Sequence, residues 1–139
     1  MTAYDPDNIF GKMLRGEIPS HKVHEDGDVL VTMDIYPQSR GHTLIIPKSP
    51  SRNLLDARPE ALQAAIYWTQ RVARAVREAT GAAGIRIAQF NEEPAGQTVF
   101  HLHFHVIPVY ADSGLAQHRS GRADDAELAE LAEAIAAKL

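Results

Sequence analysis

Three histidines alternate with apolar residues in the segment HLHFHVIP, which spans residues 101–108. Side chains two positions apart on a β-strand share a face, so we expect His101, His103 and His105 on one face and the apolar residues between them on the other. A neutral imidazole, with an ordinary pKa of about 6.5, can attack an electrophile or carry a proton near neutral pH. We therefore interpret the segment as a functional site and not as solvated strand surface, which favours Thr, Val and aromatic residues.

Two kinds of chemistry fit this spacing. In a metal site, imidazoles two residues apart converge on one ion, and His42 supplies a further ligand. In phosphate chemistry, one imidazole attacks phosphorus and water then cleaves the phosphohistidine-type intermediate. Neighbouring histidines donate to the phosphate oxygens or protonate the leaving group. The spacing by itself leaves both open.

The elements that must position these residues follow from hydrophobic period and turn residues. Strands are predicted in HKVHED, DVLVTMD, GHTLIIP, IRIAQFN and VFHLHFHVIPVY, the last limited by Pro108. We predict a short N-terminal helix between an Asp7 N-cap and Gly16, a short helix in SRNLLD, a long helix over Pro59–Thr80 and a C-terminal helix capped by Asp124. Strands in runs, with one major helix between pairs of them, indicate an α+β fold with an antiparallel sheet.

The two longer helices carry apolar stripes at three- and four-residue steps. The residues expected to face the core are Leu62, Ile66, Thr69, Val72 and Val76 in the long helix, and Leu128, Leu131, Ile135 and Leu139 in the C-terminal one.

Composition limits the function classes. The chain has 139 residues, which suits one domain, and a formal charge of −4, which argues against non-specific binding of nucleic acid. The absence of cysteine excludes disulfides and thiolate metal sites and favours a reducing compartment. The segment MTAYDPDNIF has no basic region followed by a long apolar run, so we expect no signal peptide, no membrane span and a cytoplasmic location.

The histidine segment resembles the signature of the histidine triad (HIT) superfamily of nucleotide hydrolases and transferases. The longer block AGQTVFHLHFHVIP, the strand GHTLIIPK and the opening NIFGKMLRGEIPSHKVHEDGDVLVTMDIYP are also similar, the last to the Hint branch. The resemblance covers roughly residues 8–110. It implies one HIT domain over residues 1–139, with a core at 8–110 and a C-terminal loop and helix at 111–139.

The implied fold is a five-stranded antiparallel sheet with one long and several short helices. The family usually forms homodimers, and the resemblance places the helix Pro59–Thr80 and the strand Ile85–Asn91 near the two-fold axis.

Four histidines take catalytic roles by this resemblance. His103, the middle one of the motif, is the nucleophile. His101 holds His103 in the correct tautomer through its backbone carbonyl, and His105 contacts the phosphate. His42 lies beside the phosphate and assists protonation of the leaving group.

The same resemblance assigns the nucleotide-binding residues. Gln97 and Thr98 reach the phosphate, Gly96 allows close approach of the backbone, and Asn91 contacts the ribose–phosphate side. Asp34 accepts hydrogen bonds from the ribose hydroxyls, for which a carboxylate is well suited. The residues that match the purine pocket are Ile9, Phe10, Met13, Ile18 and Leu44.

The chain departs from many bacterial relatives at a structural zinc site. Those relatives have cysteines where this sequence has Asn8 and Gly11, and a histidine where it has Pro50. We therefore expect no metal and no other cofactor. The remaining histidines, His21, His24 and His118, have no partner pattern and are expected to be solvated.

The resemblance implies cleavage of a nucleoside 5′-phosphoramidate or acyl-adenylate at the α-phosphorus through a nucleotidyl-histidine intermediate. The alternatives are a dinucleoside polyphosphate hydrolase and a purine-nucleotide-binding interaction module with incidental hydrolysis. A polyphosphate leaving group benefits from cations, and the nearby segments offer few, namely Lys48 and Arg52. We expect Glu92 and Glu93 to repel it.

Overall fold

A five-stranded antiparallel sheet forms the centre of the computed structural model, which describes residues 2–112 and 121–139. The elements are α1 (Ile9–Leu14), β1 (Lys22–Glu25), β2 (Val29–Met33), β3 (Thr43–Pro47), α2 (Pro59–Thr80), β4 (Gly84–Ala88), β5 (Phe104–Val109) and α3 (Asp125–Ala136), with short 3-10 turns at Leu54–Asp56 and Glu93–Ala95. The strand order is β1-β2-β3-β5-β4. The predicted fold class, with one long and several short helices, is confirmed.

Helix α2 begins and ends where the sequence predicts. Pro59 occupies its first turn, and Gly81 follows it with a left-handed φ of 71°. The buried stripe contains Thr69 and Val72 as expected, but Ile66 is 55% exposed. At 100° per residue, Ile66 lies roughly a quarter turn away from the stripe centred on Ala65, so the predicted core position is wrong.

Alternate side chains of β2 and β3 enter two apolar clusters on opposite faces of the sheet. On one face Val31 and Ile45 pack in the cluster that includes buried residues of α2 and α3. On the other face Leu30 and Ile46 pack against Phe10 of α1. The sheet thus separates the main core from the α1 side.

Helix α3 covers the sheet beside α2. As predicted, the Asp124 carboxylate caps it by accepting from the Glu127 amide, and Leu128, Leu131 and Ile135 are buried in the main core. Within residues 2–112 and 121–139, no helix is both long and apolar enough to cross a membrane.

Four predicted element boundaries are wrong. Helix α1 is capped by Asn8 and not by Asp7, because the Asn8 Oδ1 accepts from the Gly11 amide at 2.8 Å. Strand β4 stops at Ala88, short of Asn91. Strand β5 starts at Phe104 and passes through Pro108, which is tolerated because β3 pairs with β5 only up to Val106 and leaves that side of the strand open.

Candidate active site

The first two motif histidines precede β5 in an extended approach to it. His101 is 1% exposed, and its Nε2 lies 2.7 Å from the carbonyl oxygen of Pro47 at the end of β3. Its Nδ1 lies 2.7 Å from the Tyr4 hydroxyl. The next residue, Leu102, donates its amide to the Ser51 carbonyl and fills the main core. The predicted alternation of polar and apolar faces holds, although pairing with β3 begins only at Phe104.

His103 is oriented by the backbone of His101. Its Nδ1–H donates to the His101 carbonyl oxygen at 2.6 Å, so the lone pair lies on Nε2. Burial lowers the pKa of His103 from 6.5 to about 4, although the bond to His101 opposes the shift. The His103 imidazole is therefore neutral at physiological pH, the state that a nucleophile requires.

A second pair of histidines joins β3 to β5. Leu44 is opposite His105 in the strand register, and His42, two residues before Leu44 on the same face, is thereby placed near His105. The Gln38 amide donates to Nδ1 of His42 at 3.0 Å, so the hydrogen of that ring is on Nε2. Nε2–H faces Nδ1 of His105 at 2.9 Å, which in turn places the His105 hydrogen on Nε2. The rings of His103 and His105 are 5.0 Å apart.

Asp34 follows β2 and lies next to this pair. One carboxylate oxygen accepts from the Tyr36 amide at 2.8 Å, and the other is 3.5 Å from Nε2 of His42. The Asp34 side chain is 18% exposed. The structure thus brings Asp34, His42 and His105 together, although the sequence separates them by up to 71 positions (105 − 34).

The loop Glu92–Thr98 is built around Gln97. The Gln97 Oε1 accepts from the Glu92 amide and from Asn53, and its Nε2 donates to the carbonyls of Arg52 and Val99. Four bonds commit this buried amide to the loop, so Gln97 shapes the loop, and its expected contact with a phosphate stays a prediction.

Two residues in this loop have positive φ. Gly96 has φ 107°, which glycine adopts without strain, and the exposed Thr98 follows two residues later. Glu92 has φ 75°, which is strained for a residue with a side chain. The strain is offset by the hydrogen bonds that the Glu92 carboxylate accepts, from Arg52 at 2.8 and 2.9 Å and from Asn53 at 2.6 Å.

These bonds change the expected electrostatics. The hydrogen bond from Arg52 lowers the pKa of Glu92, so the two form a charged pair. The expectation that Glu92 repels a polyphosphate is therefore wrong, because its charge is compensated. Lys48 is likewise paired, with Glu25 at 2.9 Å.

Asn91 connects the same loop to the rest of the chain. Its Oδ1 accepts from the Leu54 amide and from Gln89, and its Nδ2 donates back to Gln89. The residue therefore ties the loop to the 3-10 turn after β3.

An apolar cavity of about 410 Å³ lies between α1, the end of β2 and the start of α3. Three of the predicted purine-pocket residues line it, namely Ile9, Met13 and Ile18. The other two do not. Phe10 packs edge-on against His103 with ring centroids 4.8 Å apart, and Leu44 is buried in the same cluster as Phe10.

The rim of this cavity contains residues that the sequence did not predict. Arg122 and Asp125 line it from the start of α3, and Asp125 lies 3.0 Å from both Arg122 and His21. Charged residues are common at the start of a helix, so nothing in the sequence indicated that Arg122 and Asp125 lie on the rim of a cavity. The expectation of a solvated His21 is therefore wrong.

His24 is also partnered. Its ring stacks on Trp68 of α2 at 3.9 Å, and its Nε2 lies 2.9 Å from Asp26. His118 lies outside the described residues.

One group of side chains has the donor set of a metal site. Single donor atoms of Asp34, His42 and His105 lie within 4.8 Å of one another. Two imidazoles and a carboxylate suit Zn²⁺, but the facing nitrogens of the two histidines are joined by the hydrogen bond described above. The structural zinc site of many bacterial relatives would need cysteines at positions 8 and 11. Asn8 is the cap of α1, and a Cβ on Gly11 would lie 2.6 Å from the Pro6 carbonyl oxygen, so a cysteine does not fit at position 11.

Comparison with known proteins shows which family and which folds this chain resembles. The family model for the HIT domain matches residues 15–112. The crystal structure of a Hit-like protein from Bartonella henselae has a TM-score of 0.95 and 49% identity, covering 99% of this chain and 100% of that one. Protein hit of Bacillus subtilis is 41% identical over 102 residues, 73% of this chain and 70% of that protein. Adenylylsulfatase HINT3 of Arabidopsis thaliana is 35% identical over 118 residues, 81% of this chain and 60% of that protein.

Proposed function

The chain belongs to the HIT family of nucleotide-binding hydrolases and transferases, and we propose that it cleaves nucleoside 5′-phosphoramidates or acyl-adenylates at the α-phosphorus through a nucleotidyl-His103 intermediate. One observation carries the proposal. His103 is a buried, neutral imidazole whose Nδ1–H is fixed on the His101 carbonyl at 2.6 Å, so its Nε2 lone pair is available for attack.

The first step forms a bond between Nε2 of His103 and phosphorus and breaks the bond from phosphorus to the leaving group. The nucleotidyl-imidazole carries a positive charge, which the Nδ1–H bond to the His101 carbonyl stabilises. A leaving amine takes up the Nε2 proton of His105, while Nδ1 of His105 takes the Nε2 proton of His42 and the solvent reprotonates His42, so that both rings stay neutral. His105 is in turn hydrogen-bonded to His42 at 2.9 Å.

The second step reverses the roles. Water attacks phosphorus, gives its proton to Nε2 of His105, and releases His103 as a neutral imidazole together with the nucleoside monophosphate. The loop at Gly96 and Thr98 faces the phosphate from the other side. Its shape is held by Gln97 and by the pair Arg52–Glu92.

The nucleoside occupies the cavity beside Asp34. The Asp34 carboxylate accepts from the ribose hydroxyls, and the base lies among Ile9, Met13 and Ile18. The rim pair Arg122 and Asp125 meets the edge of the base with one donor and one acceptor group. The name of the Arabidopsis relative, an adenylylsulfatase, supports an adenylyl compound as substrate.

Two other activities use the same site. A dinucleoside polyphosphate hydrolase would need compensation for the leaving polyphosphate, whereas Lys48 and Arg52 are already ion-paired. A purine-nucleotide-binding module would not need the fixed tautomer of His103.

We also propose a homodimer. Ile66 and Tyr67 of α2 and Ile87 of β4 are 55%, 53% and 45% exposed, and β4 is at the edge of the sheet. An exposed edge strand flanked by apolar side chains suits pairing with a second copy about a two-fold axis. Sedimentation of Ile87→Lys against the unchanged protein tests this: the variant should be monomeric, and a monomeric unchanged protein would contradict the dimer.

The experiment for the catalytic proposal uses the purified protein with a panel of adenosine and guanosine phosphoramidates, acyl-adenylates and dinucleotides. Turnover with an acid-labile nucleotidyl adduct on His103, detected by mass spectrometry of rapidly quenched samples, is expected. Tight nucleotide binding without turnover of any substrate would favour the binding module.

A further inference from the structure

The residues before α1 reach the catalytic motif. Tyr4 lies 97 positions from His101, yet its hydroxyl oxygen is 2.7 Å from the His101 Nδ1 and the two rings meet edge-on at 5.6 Å. His101 is 1% exposed, so this contact is made in the interior. From these contacts we infer that Tyr4 is a positioning residue for His103 and acts through His101; the kinetic part of this inference rests on the proposed function.

The direction of the hydrogen bond follows from its neighbours. The Pro47 carbonyl oxygen can only accept, so the hydrogen of the neutral His101 ring is on Nε2 and the Tyr4 hydroxyl donates to Nδ1. The Tyr4 oxygen accepts from Nδ2 of Asn8 at 3.0 Å. The His101 Nδ1 is therefore an acceptor, and its Nε2–H donates to the Pro47 carbonyl at 2.7 Å. Both ring nitrogens of His101 are thus held, one by the N-terminal segment and one by β3.

The clamp on the ring fixes the backbone of the same residue. The His101 carbonyl is the acceptor for Nδ1–H of His103 at 2.6 Å. Because the ring is joined to this backbone through Cβ, holding both ring nitrogens restrains the His101 Cα and the carbonyl beside it, and so keeps the acceptor for His103 in place. Three hydrogen bonds in series, from Asn8 to Tyr4, from Tyr4 to His101 and from His103 to the His101 carbonyl, thus connect the cap of α1 to the nucleophile.

A glycine allows the N-terminal segment to lie this close. A Cβ on Gly11 would be 2.6 Å from the Pro6 carbonyl oxygen, a contact with backbone that no side-chain movement relieves. The Pro6 carbonyl also accepts from Arg15 at 2.8 Å, which holds the segment against α1. Gly11 and Tyr4 are therefore parts of one arrangement.

Tyr4 also keeps His101 neutral. Its hydroxyl donates to the lone pair that a proton would otherwise occupy, and burial lowers the pKa of His101 in the same direction. The titratable groups that face His101 in the described residues are Tyr4 and His103. A charge on His101 would act directly on the nucleophile beside it.

The test compares Tyr4→Phe with the unchanged protein. We expect kcat to fall roughly three- to tenfold, the equivalent of one net hydrogen bond, with KM changed less than about twofold. The acid limb of kcat should move up by roughly 0.5 to 1 pH unit, because the neutral form of His101 loses its donor.

Nitrogen NMR of the His101 ring gives a measurement independent of turnover. In the unchanged protein Nδ1 should be an unprotonated acceptor, and in Tyr4→Phe it should take up a proton at higher pH. Gly11→Ala displaces the segment without weakening the helix, so it should reproduce both effects.

Equal kcat and equal His101 titration in Tyr4→Phe and the unchanged protein would overturn the inference while the proposed function stands. A fall in melting temperature with kcat, KM and the His101 titration unchanged would also overturn it, since Tyr4 would then be structural only. If no nucleotide is turned over, the proposed function fails, and the NMR titration still decides whether Tyr4 sets the state of His101.

Discussion

The Nδ1 of His103 lies 2.6 Å from the carbonyl oxygen of His101, two residues earlier in the same extended segment. A backbone carbonyl accepts only, so this contact determines which nitrogen of His103 carries the hydrogen and which is free to attack.

His103→Ala should reduce kcat at least about 1000-fold and leave nucleotide binding within a few-fold, because the nucleophile acts in the transition state. Calorimetric Kd values and single-turnover rates measure the two effects. His24→Gln, which changes a histidine stacked on Trp68 away from the cavity, is the matched control. Retention of more than a small fraction of kcat in pure His103→Ala would disprove the assignment of the nucleophile.

The stability of the protein should fall on acidification below about pH 6.5. Burial lowers the pKa of His103 to about 4 in the folded state, so between these values the unfolded chain binds a proton that the folded chain does not. The difference contributes on the order of 3 kcal/mol, fully present above pH 6.5 and lost as the pH falls to about 4. Urea unfolding at several pH values measures this loss, and His103→Gln should lose less stability over the same interval. An identical loss in that variant would assign the effect to other groups.

Asp34→Ala should weaken ribonucleotide binding by roughly 1–3 kcal/mol, the scale of losing hydrogen bonds to a charged acceptor. The structure adds a complication, since Asp34 is also 3.5 Å from His42. Titration with 2′,3′-dideoxynucleotides separates the two roles, because those ligands lack the ribose hydroxyls. If both ligands lose the same affinity, Asp34 acts on His42 and not on the ribose.

Adenosine 5′-phosphoramidate should have a kcat/KM at least about tenfold above those of diadenosine tri- and tetraphosphate. A leaving amine needs a proton, which the His42–His105 pair can deliver, whereas a leaving polyphosphate needs cations, and Lys48 and Arg52 are held by Glu25 and Glu92. The measurement is kcat/KM for the phosphoramidate and for both dinucleotides, taken side by side on one preparation. A better rate on the dinucleotides would overturn the preference while leaving His103 as nucleophile.

The protein purified without chelator should contain no stoichiometric zinc, and EDTA should change neither its melting temperature nor its activity. Asn8, Gly11 and Pro50 offer no thiolate or imidazole at the positions where the resemblance leads us to expect zinc ligands. Elemental analysis per chain provides the measurement. One tightly held ion that is lost in His42→Ala would instead identify the Asp34, His42 and His105 group as a metal site.

Local sequence determined the elements and part of the site. Pro59 and Gly81 delimit α2, and Asp124 caps α3, because these effects operate within one helical turn. The period-two spacing of the histidine segment likewise places its apolar residues in the core, since side-chain alternation is a property of extended backbone. Resemblance to relatives then supplied the expected roles of His42, His103 and Asp34.

Tertiary structure decided the partners of these residues. Gln97 faces Asn53 and the Glu92 amide, His21 faces Asp125, and Tyr4 faces His101 across 97 positions. The spacing of apolar residues cannot predict such pairs, because a side-chain hydrogen bond depends on distances that the packing of distant elements sets. The resemblance in sequence thus marked His103 as the expected nucleophile, and the fold shows which of its nitrogens carries the hydrogen.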